Sequence, residues 1–491
     1  MSTVTLSLVS HTNAGKTTLA RTLLRQDIGE IRDAPHVTEF ETAHDLIASD
    51  AGDVLRLWDT PGFSDAARLL RRMRLDGHPL GWLLSEVWDR WRDRAFWSSQ
   101  RALRHVQAES DVVLYLVNAT ESPAAAAYVE AEMELLGWVG KPVLVLLNQL
   151  GAPRDAAAEA ADVGAWRSHL QRWPGVRAVL PLDAFARCWV HERRLLVTVQ
   201  GLLEGEPAAA MARLTQAWTA RGEAVFAASM RALAESLARV ALARETLDGE
   251  TGWVDRIRRV GAAVARREDE GPVAAAQRRL AAALESEAAA ALARLIALHG
   301  LQGRAQGEIV RRVEGQFALR QRIPEGRAAV VGGAVSGAAL GLKADIASGG
   351  LTLGGGLLLG ALLGALGGAG IARGINLVRG TDSSWVAWSD EALDAAAQAA
   401  LLRYLAVAHF GRGRGDWAAG EAPAHWAPRV AEAVAERRED FAAVWRARAP
   451  RGEAAPDAAA LAAALAPPLQ ATALALLQRL YPEDAAGPAK A

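Results

Sequence analysis

Four short apolar runs frame the first 200 residues. Thr3–Ser10 (TVTLSLVS), Asp53–Asp59 (DVLRLWD), Asp111–Asn118 (DVVLYLVN) and Lys141–Asn148 (KPVLVLLN) are rich in Val and Leu, and several end on a polar residue. Helical patterning separates them. Near-continuous apolar strands alternating with helices predict a mostly parallel sheet covered on both faces, an α/β fold. Ligands of such sheets bind beyond the C-terminal strand ends. Here those ends are Ser10, Asp59, Asn118 and Asn148.

Further on the pattern changes. Residues 205–325 read as long helices of Ala, Arg, Glu and Leu, such as Gln277–Gly300 with its glycine stop. Residues 380–450 also read as helical. Between them, Arg327–Arg373 is glycine-rich: Gly333, Gly337 and Gly341 recur every four residues, as do Gly356, Gly360, Gly364 and Gly368. Small residues at that spacing let two helices approach closely, which offsets the roughly 0.5–1 kcal/mol each glycine costs a helix. The pattern predicts a hairpin of two glycine-zipped helices turning at Lys343–Asp345. The uncharged run Ile346–Ala372 exceeds the about 20 residues a membrane helix needs. Membrane association and a buried soluble hairpin both stay open. The expected layout is an α/β domain over 1–205 with a Trp- and Arg-rich helical insertion at 64–105. A helical bundle or stalk over 206–326, the hairpin over 327–378, a helical region over 379–480 and a frayed tail over 481–491 follow. For the insertion, an extra helical pair and a partner-docking surface are the two alternatives.

Composition narrows the function. At 51% hydrophobic and 23% charged the chain is globular, and a net charge of −1 gives no field to draw it onto nucleic acid. One cysteine, Cys188, rules out a disulfide framework and a cysteine zinc cluster. No secretory signal is read at the N-terminus. The expected location is the cytoplasm, with the inner membrane as the surface for the hairpin, through lipid or a membrane protein. A homo-oligomer is the other partner considered.

The chemistry begins at SHTNAGKTT, Ser10–Thr18, between the first strand and a helix start. It departs from G-x-x-x-x-G-K-[ST] only in Ser10, a small residue in place of the first glycine. Amides at the helix N-terminus and the helix dipole attract phosphate. Asn13, Ala14, Gly15, Lys16, Thr17 and Thr18 are the candidate phosphate contacts, with Lys16 bringing charge and Thr17 a hydroxyl for Mg²⁺. Asp59-Thr60-Pro61-Gly62 follows the second apolar run, placing Asp59 as a second Mg²⁺ contact and the Gly62 N–H near a terminal phosphate.

Together these two motifs resemble the translation-factor-related class of P-loop GTPases, close to its Era-like branch. The resemblance implies GTP and GDP as ligands, slow GTP hydrolysis and a mobile switch threonine on Mg²⁺. Thr38 is the candidate and Thr42 its rival. It places the base-reading box at Asn148-Gln149-Leu150-Gly151, where Gln149 and Gly151 depart from N-K-x-D. Losing the aspartate weakens guanine selection. Asp183, with Ala184 beside it, is the candidate replacement. Phe63 stands where Ras-like proteins carry a water-orienting glutamine. Asn13 resembles the asparagine of GTPases that bind K⁺ beside the phosphates; the alternative is that it only shapes the loop. YLVNATESP, DAFARCW, GLKADIASGGLTLG and LLRYLAVAHFGRGRG extend the resemblance to bacterial two-domain GTPases whose C-terminal half is a domain of unknown function. The implied function is a GTP-hydrolysing switch with a helical output domain. A non-catalytic nucleotide-binding membrane scaffold and an ATP-using P-loop protein are the alternatives.

Overall fold

A computed structural model of the chain describes residues 1–12, 14–24, 42–63, 65–74, 94–148, 156–182, 188–246, 272–301, 375–379, 384–410, 425–448 and 457–481. The described elements divide between two compact units, the first taking in Met1–Ala224 and the second Val225–Val407 and the residues from 425 to 481.

In the first unit the order is β1 (Thr3–Ser10), α1 (Lys16–Leu24), β2 (Thr42–Ala48), β3 (Val54–Asp59), α2 (Ala66–Arg74) and α3 (Arg94–Glu109). Then come β4 (Val112–Asn118), α4 (Tyr128–Val139), β5 (Val143–Asn148), α5 (Ala156–Leu170), β6 (Val176–Pro181), α6 (Trp189–Gly201) and the first half of α7 (Gly205–Leu242). The sheet order is β2-β3-β1-β4-β5-β6. Only β2 runs antiparallel to its neighbour. The four strands expected from the pattern are β1, β3, β4 and β5.

Burial on both faces explains those near-continuous apolar strands. Alternate residues of β4 go to opposite cores. Val113, Tyr115 and Val117 join Phe63, Leu69, Met73, Leu103, Val129 and Met133 under α2, α3 and α4. Val112, Leu114 and Leu116 join Leu6, Leu19, Leu195, Met211, Leu214 and Trp218 under α1, α6 and α7. Each such side chain contributes about 1.5–3 kcal/mol. The insertion supplies α2 and α3, which bury Leu69, Leu70, Met73 and Phe96 in the first of these cores. Its Trp82, Trp88 and Trp91 lie outside the described residues. Trp97 is half-buried, with the Arg101 guanidinium 5.3 Å from its ring centroid.

At the sheet edge away from the strand C-termini, Asp53 joins three segments. Its carboxylate accepts bonds from Arg213 Nε at 2.6 Å, Ser49 Oγ at 2.9 Å and the Ser2 N–H at 3.0 Å. This fastens the β2–β3 turn and the chain start to α7.

The second unit holds the rest of α7, β7 (Arg244–Thr246), α8 (Pro272–Leu298), β8 (Ile375–Arg379) and β9 (Ser384–Trp388). It continues with α9 (Asp390–Ala408), α10 (Trp426–Glu436), α11 (Arg438–Ala447) and α12 (Ala458–Leu480). It is mainly helical, and Gly300 follows α8 with φ at 65°. Two segments depart from the helical expectation. Ser384–Trp388 is the centre of an antiparallel sheet ordered β7-β9-β8. Its Trp-Val-Ala-Trp alternation buries Val386 and Trp388 on one face, a period of two rather than of a helix. Ile375–Arg379, at the expected end of the glycine-rich hairpin, is also a strand. The rest of the hairpin lies outside the described residues.

Among the described residues, one helix, α12, is long and apolar enough to cross a membrane by length and composition. Leu461, Leu465, Leu469, Ala473 and Leu476 form its buried stripe, and it packs on α10 and α11. That is the pattern of a core helix.

Candidate functional site

β1, β3, β4 and β5 run parallel, so their C-terminal ends share one edge. Asn118 and Asn148 are register partners there, as are Leu8 and Asp59. The loop after β1 therefore emerges beside the end of β3. Gly15 takes φ of 90°, a left-handed conformation that glycine adopts without strain. Its carbonyl accepts the Leu19 N–H at 3.0 Å and opens α1.

Lys16 is buried, with Nζ donating to Ser10 Oγ at 2.8 Å. The hydroxyl at the missing-glycine position thus engages the loop's cation, and it also donates to the His11 carbonyl. Thr17 Oγ1 donates to Asp59 Oδ2 at 2.7 Å. Asp59 Oδ1 is buried with no hydrogen-bond partner among the described residues. Burial pushes the Lys16 ammonium down, opposed by Asp59 and then Glu132. Burial pushes the Asp59 carboxyl up, opposed by Lys16 and then by the Thr17 bond. A buried carboxylate with an open oxygen, beside a threonine hydroxyl and a lysine, fits a divalent cation carrying phosphates.

The strap Asp59–Phe63 is fastened to the loop. Thr60 Oγ1 donates to the Leu8 carbonyl at 2.6 Å, and the Phe63 N–H donates to the Ser10 carbonyl at 2.8 Å. A Cβ on Gly62 would lie 3.0 Å from Lys16 Nζ and 3.3 Å from Thr12 Cα, so only glycine fits there without movement. The Phe63 side chain is fully buried in the core with Leu69 and Met73.

From β5, buried Asn148 donates through Nδ2 to the Ala14 carbonyl at 2.8 Å. Lys16, Thr17, Asp59, Gly62, Ala14, Gly15 and Asn148 therefore gather at one strand edge. Thr18 is buried on the first turn of α1. Asn13, Thr38, Gln149, Gly151, Asp183 and Ala184 lie outside the described residues. Thr42 opens β2 opposite Asp59. Arg68 and Arg74 of α2 are exposed and engage Asp65 and Glu134 on the surface.

Sequence reasoning missed one group. Buried Glu132 and Tyr115 hydrogen-bond to each other, and Glu132 also engages His11 of the loop. The signal was available: Glu132 falls on the Val129–Met133–Leu136 stripe of α4, and a carboxylate in an apolar stripe needs partners.

Residues 5–149 match the family model described as 50S ribosome-binding GTPase, and residues 167–464 match the model described as domain of unknown function (DUF3482). No curated protein matches the chain. Among solved structures, an Era variant from Aquifex aeolicus bound to GDP·AlF4⁻ is 18% identical, with 42% of this chain and 59% of that one covered and a TM-score of 0.30. Era in complex with MgGDPNP and nucleotides 1506–1542 of 16S ribosomal RNA gives 18%, 42%, 59% and 0.31. A probable GTP-binding protein engB gives 16% identity, 37% of this chain, 88% of that one and 0.23. The chain thus spans 59% of the length of the Era structures it matches.

Proposed function

Because the chain belongs to the DUF3482 family and carries a P-loop GTPase domain ahead of that domain of unknown function, we propose that it is a GTP-hydrolysing switch. Its C-terminal half carries the output. The observation that carries this reading is the Lys16–Thr17–Asp59 arrangement, with the open Asp59 Oδ1 buried beside it.

In this reading the loop amides and Lys16 hold the β- and γ-phosphates, and the Gly62 N–H faces the γ-phosphate. Thr17 and Asp59 would hold Mg²⁺, with Thr38 the switch threonine, and the ion would supply charge that neutralises the phosphates. Asn148 braces the loop at Ala14. Water attacks the γ-phosphorus in line, the bond to the bridging oxygen breaks, and GDP and phosphate leave. The chain contributes position and charge rather than a covalent intermediate. Phe63 cannot orient the water, since its ring lies in the core. A monovalent cation held by Asn13 would supply charge in its place, and hydrolysis would then be faster in K⁺ than in Na⁺. Base selection rests on Asn148 with Asp183. The uncharged run in 327–378 associates the output half with a membrane, and flotation with liposomes tests this.

A second reading, a non-catalytic nucleotide-binding scaffold, is favoured by the inward Phe63. Affinities for GTP, GDP and ATP, with single-turnover hydrolysis, separate the two in wild type and Lys16→Ala. The switch requires GTP binding and turnover that Lys16→Ala abolishes. Binding without turnover supports the scaffold, and ATP preference refutes the guanine assignment.

A further inference from the structure

The polar cluster beneath the loop has no part in the reading above. Glu132 projects from α4 among Val129, Met133 and Leu136, and its side chain is fully buried. Its Oε1 lies 2.8 Å from His11 Nδ1, and its Oε2 accepts from the Tyr115 hydroxyl of β4 at 2.5 Å. Tyr128, the first residue of α4, stacks on the His11 ring with centroids 4.4 Å apart. A buried carboxylate is costly unless both oxygens are engaged. This one is engaged at both, and one partner belongs to the phosphate loop.

His11 is also where the loop meets the strap. His11 and Phe63 form a parallel bridge, the Phe63 N–H binds the carbonyl before it, and Gly62 packs on Thr12 and Lys16. Two side chains of α4, Glu132 by hydrogen bond and Tyr128 by stacking, therefore meet the loop residue at which the phosphate-binding and terminal-phosphate-facing segments join.

We propose that Glu132 is a positioning residue of the nucleotide site, acting through His11 to keep the phosphate loop and the Gly62–Phe63 strap in mutual register. This rests on the nucleotide reading. The strap faces the terminal phosphate, so loss of register weakens triphosphate binding more than diphosphate binding. General destabilisation of the fold would weaken both alike.

The test measures affinities of the full chain, with Mg²⁺, for GDP and a non-hydrolysable GTP analogue. The variants are His11→Ala, Glu132→Ala, Glu132→Gln and the double alanine. The triphosphate-to-diphosphate preference falls about tenfold in each single alanine variant. The double variant falls no further, because the two side chains act as one unit. Glu132→Gln keeps an acceptor for His11 and retains most of the preference. An unchanged preference in the alanine variants, or additive losses in the double one, overturns the proposal. If Glu132→Ala does not fold, His11→Ala, whose side chain is 34% exposed, together with Glu132→Gln carries the decision. Lys16→Ala is the separate control. Nucleotide binding retained there removes the nucleotide reading itself. Binding lost there, beside an unchanged preference in His11→Ala, removes only the role of Glu132.

Discussion

Replacing Phe63 by glutamine puts a water-orienting residue type at the position where Ras-like proteins use one. The structure says this fails. The Phe63 ring is fully buried against Leu69 and Met73, while its N–H faces the Ser10 carbonyl. Truncating a buried Phe to Ala costs about 3–5 kcal/mol. Glutamine refills part of the volume but buries an amide, at about 1–3 kcal/mol if unpartnered. The net loss is therefore about 3–5 kcal/mol, against a typical domain stability of about 5–15 kcal/mol. At about 2–4 °C per kcal/mol for a unit of this size, the melting midpoint falls by roughly 10 °C. Thermal unfolding of Phe63→Gln and single-turnover GTP hydrolysis at a temperature where both proteins are folded make the check. Faster hydrolysis with stability held within about 1 kcal/mol would refute the reasoning, since the side chain would then be reaching the site.

Three further outcomes follow from distances already given. Gly62→Ala places a Cβ 3.0 Å from Lys16 Nζ, and fluorescent-nucleotide titration should show triphosphate affinity reduced at least about tenfold. Asn148→Ala leaves the buried Ala14 carbonyl without its 2.8 Å donor; urea unfolding should show a loss of about 1–3 kcal/mol. The Arg213 guanidinium beside Asp53 holds that carboxyl well below the usual carboxylate range, helped by Ser2 and Ser49 and opposed by burial. A depressed carboxyl adds stability that is fully present above its unfolded value, about 3.9, and is lost as pH falls below it. The stability gap between wild type and Arg213→Ala should therefore be constant near neutrality and narrow below about pH 4, as read by urea midpoints across pH.

Much of the first unit was legible because its strands are buried on both faces. β1, β3, β4 and β5 announce themselves as apolar runs, and the residues at their ends carry the chemistry. β2 and β6 were not legible. Thr42–Ala48 is an edge strand with His44 and Asp45 in its middle, and Val176–Pro181 has Arg177 and a half-exposed face. Neither presents an uninterrupted apolar run. β9 was misread because Trp385, Val386 and Trp388 suit a helix face as well as a strand, and only its pairing with β7 and β8 decides. At the site, Lys16, Thr17 and Asp59 were read from motif spacing alone. Ser10 reads in the sequence only as a small residue in place of the first glycine, yet its hydroxyl accepts from Lys16. His11 and Glu132 meet across 121 positions of chain, a separation no local pattern encodes.

The first half of α7 determines where this chain can be cut. Ala210, Met211, Leu214 and Trp218 are buried against the sheet, and Arg213 neutralises Asp53 from the same helix. The three larger apolar side chains contribute about 1.5–3 kcal/mol each, together comparable to the whole stability of a domain. A fragment stopping at residue 204 would expose the part of that core covered by α7 and leave Asp53 without its cation. One that continues to Ala224 carries its own lid. Nucleotide-binding fragments should be designed to the longer limit.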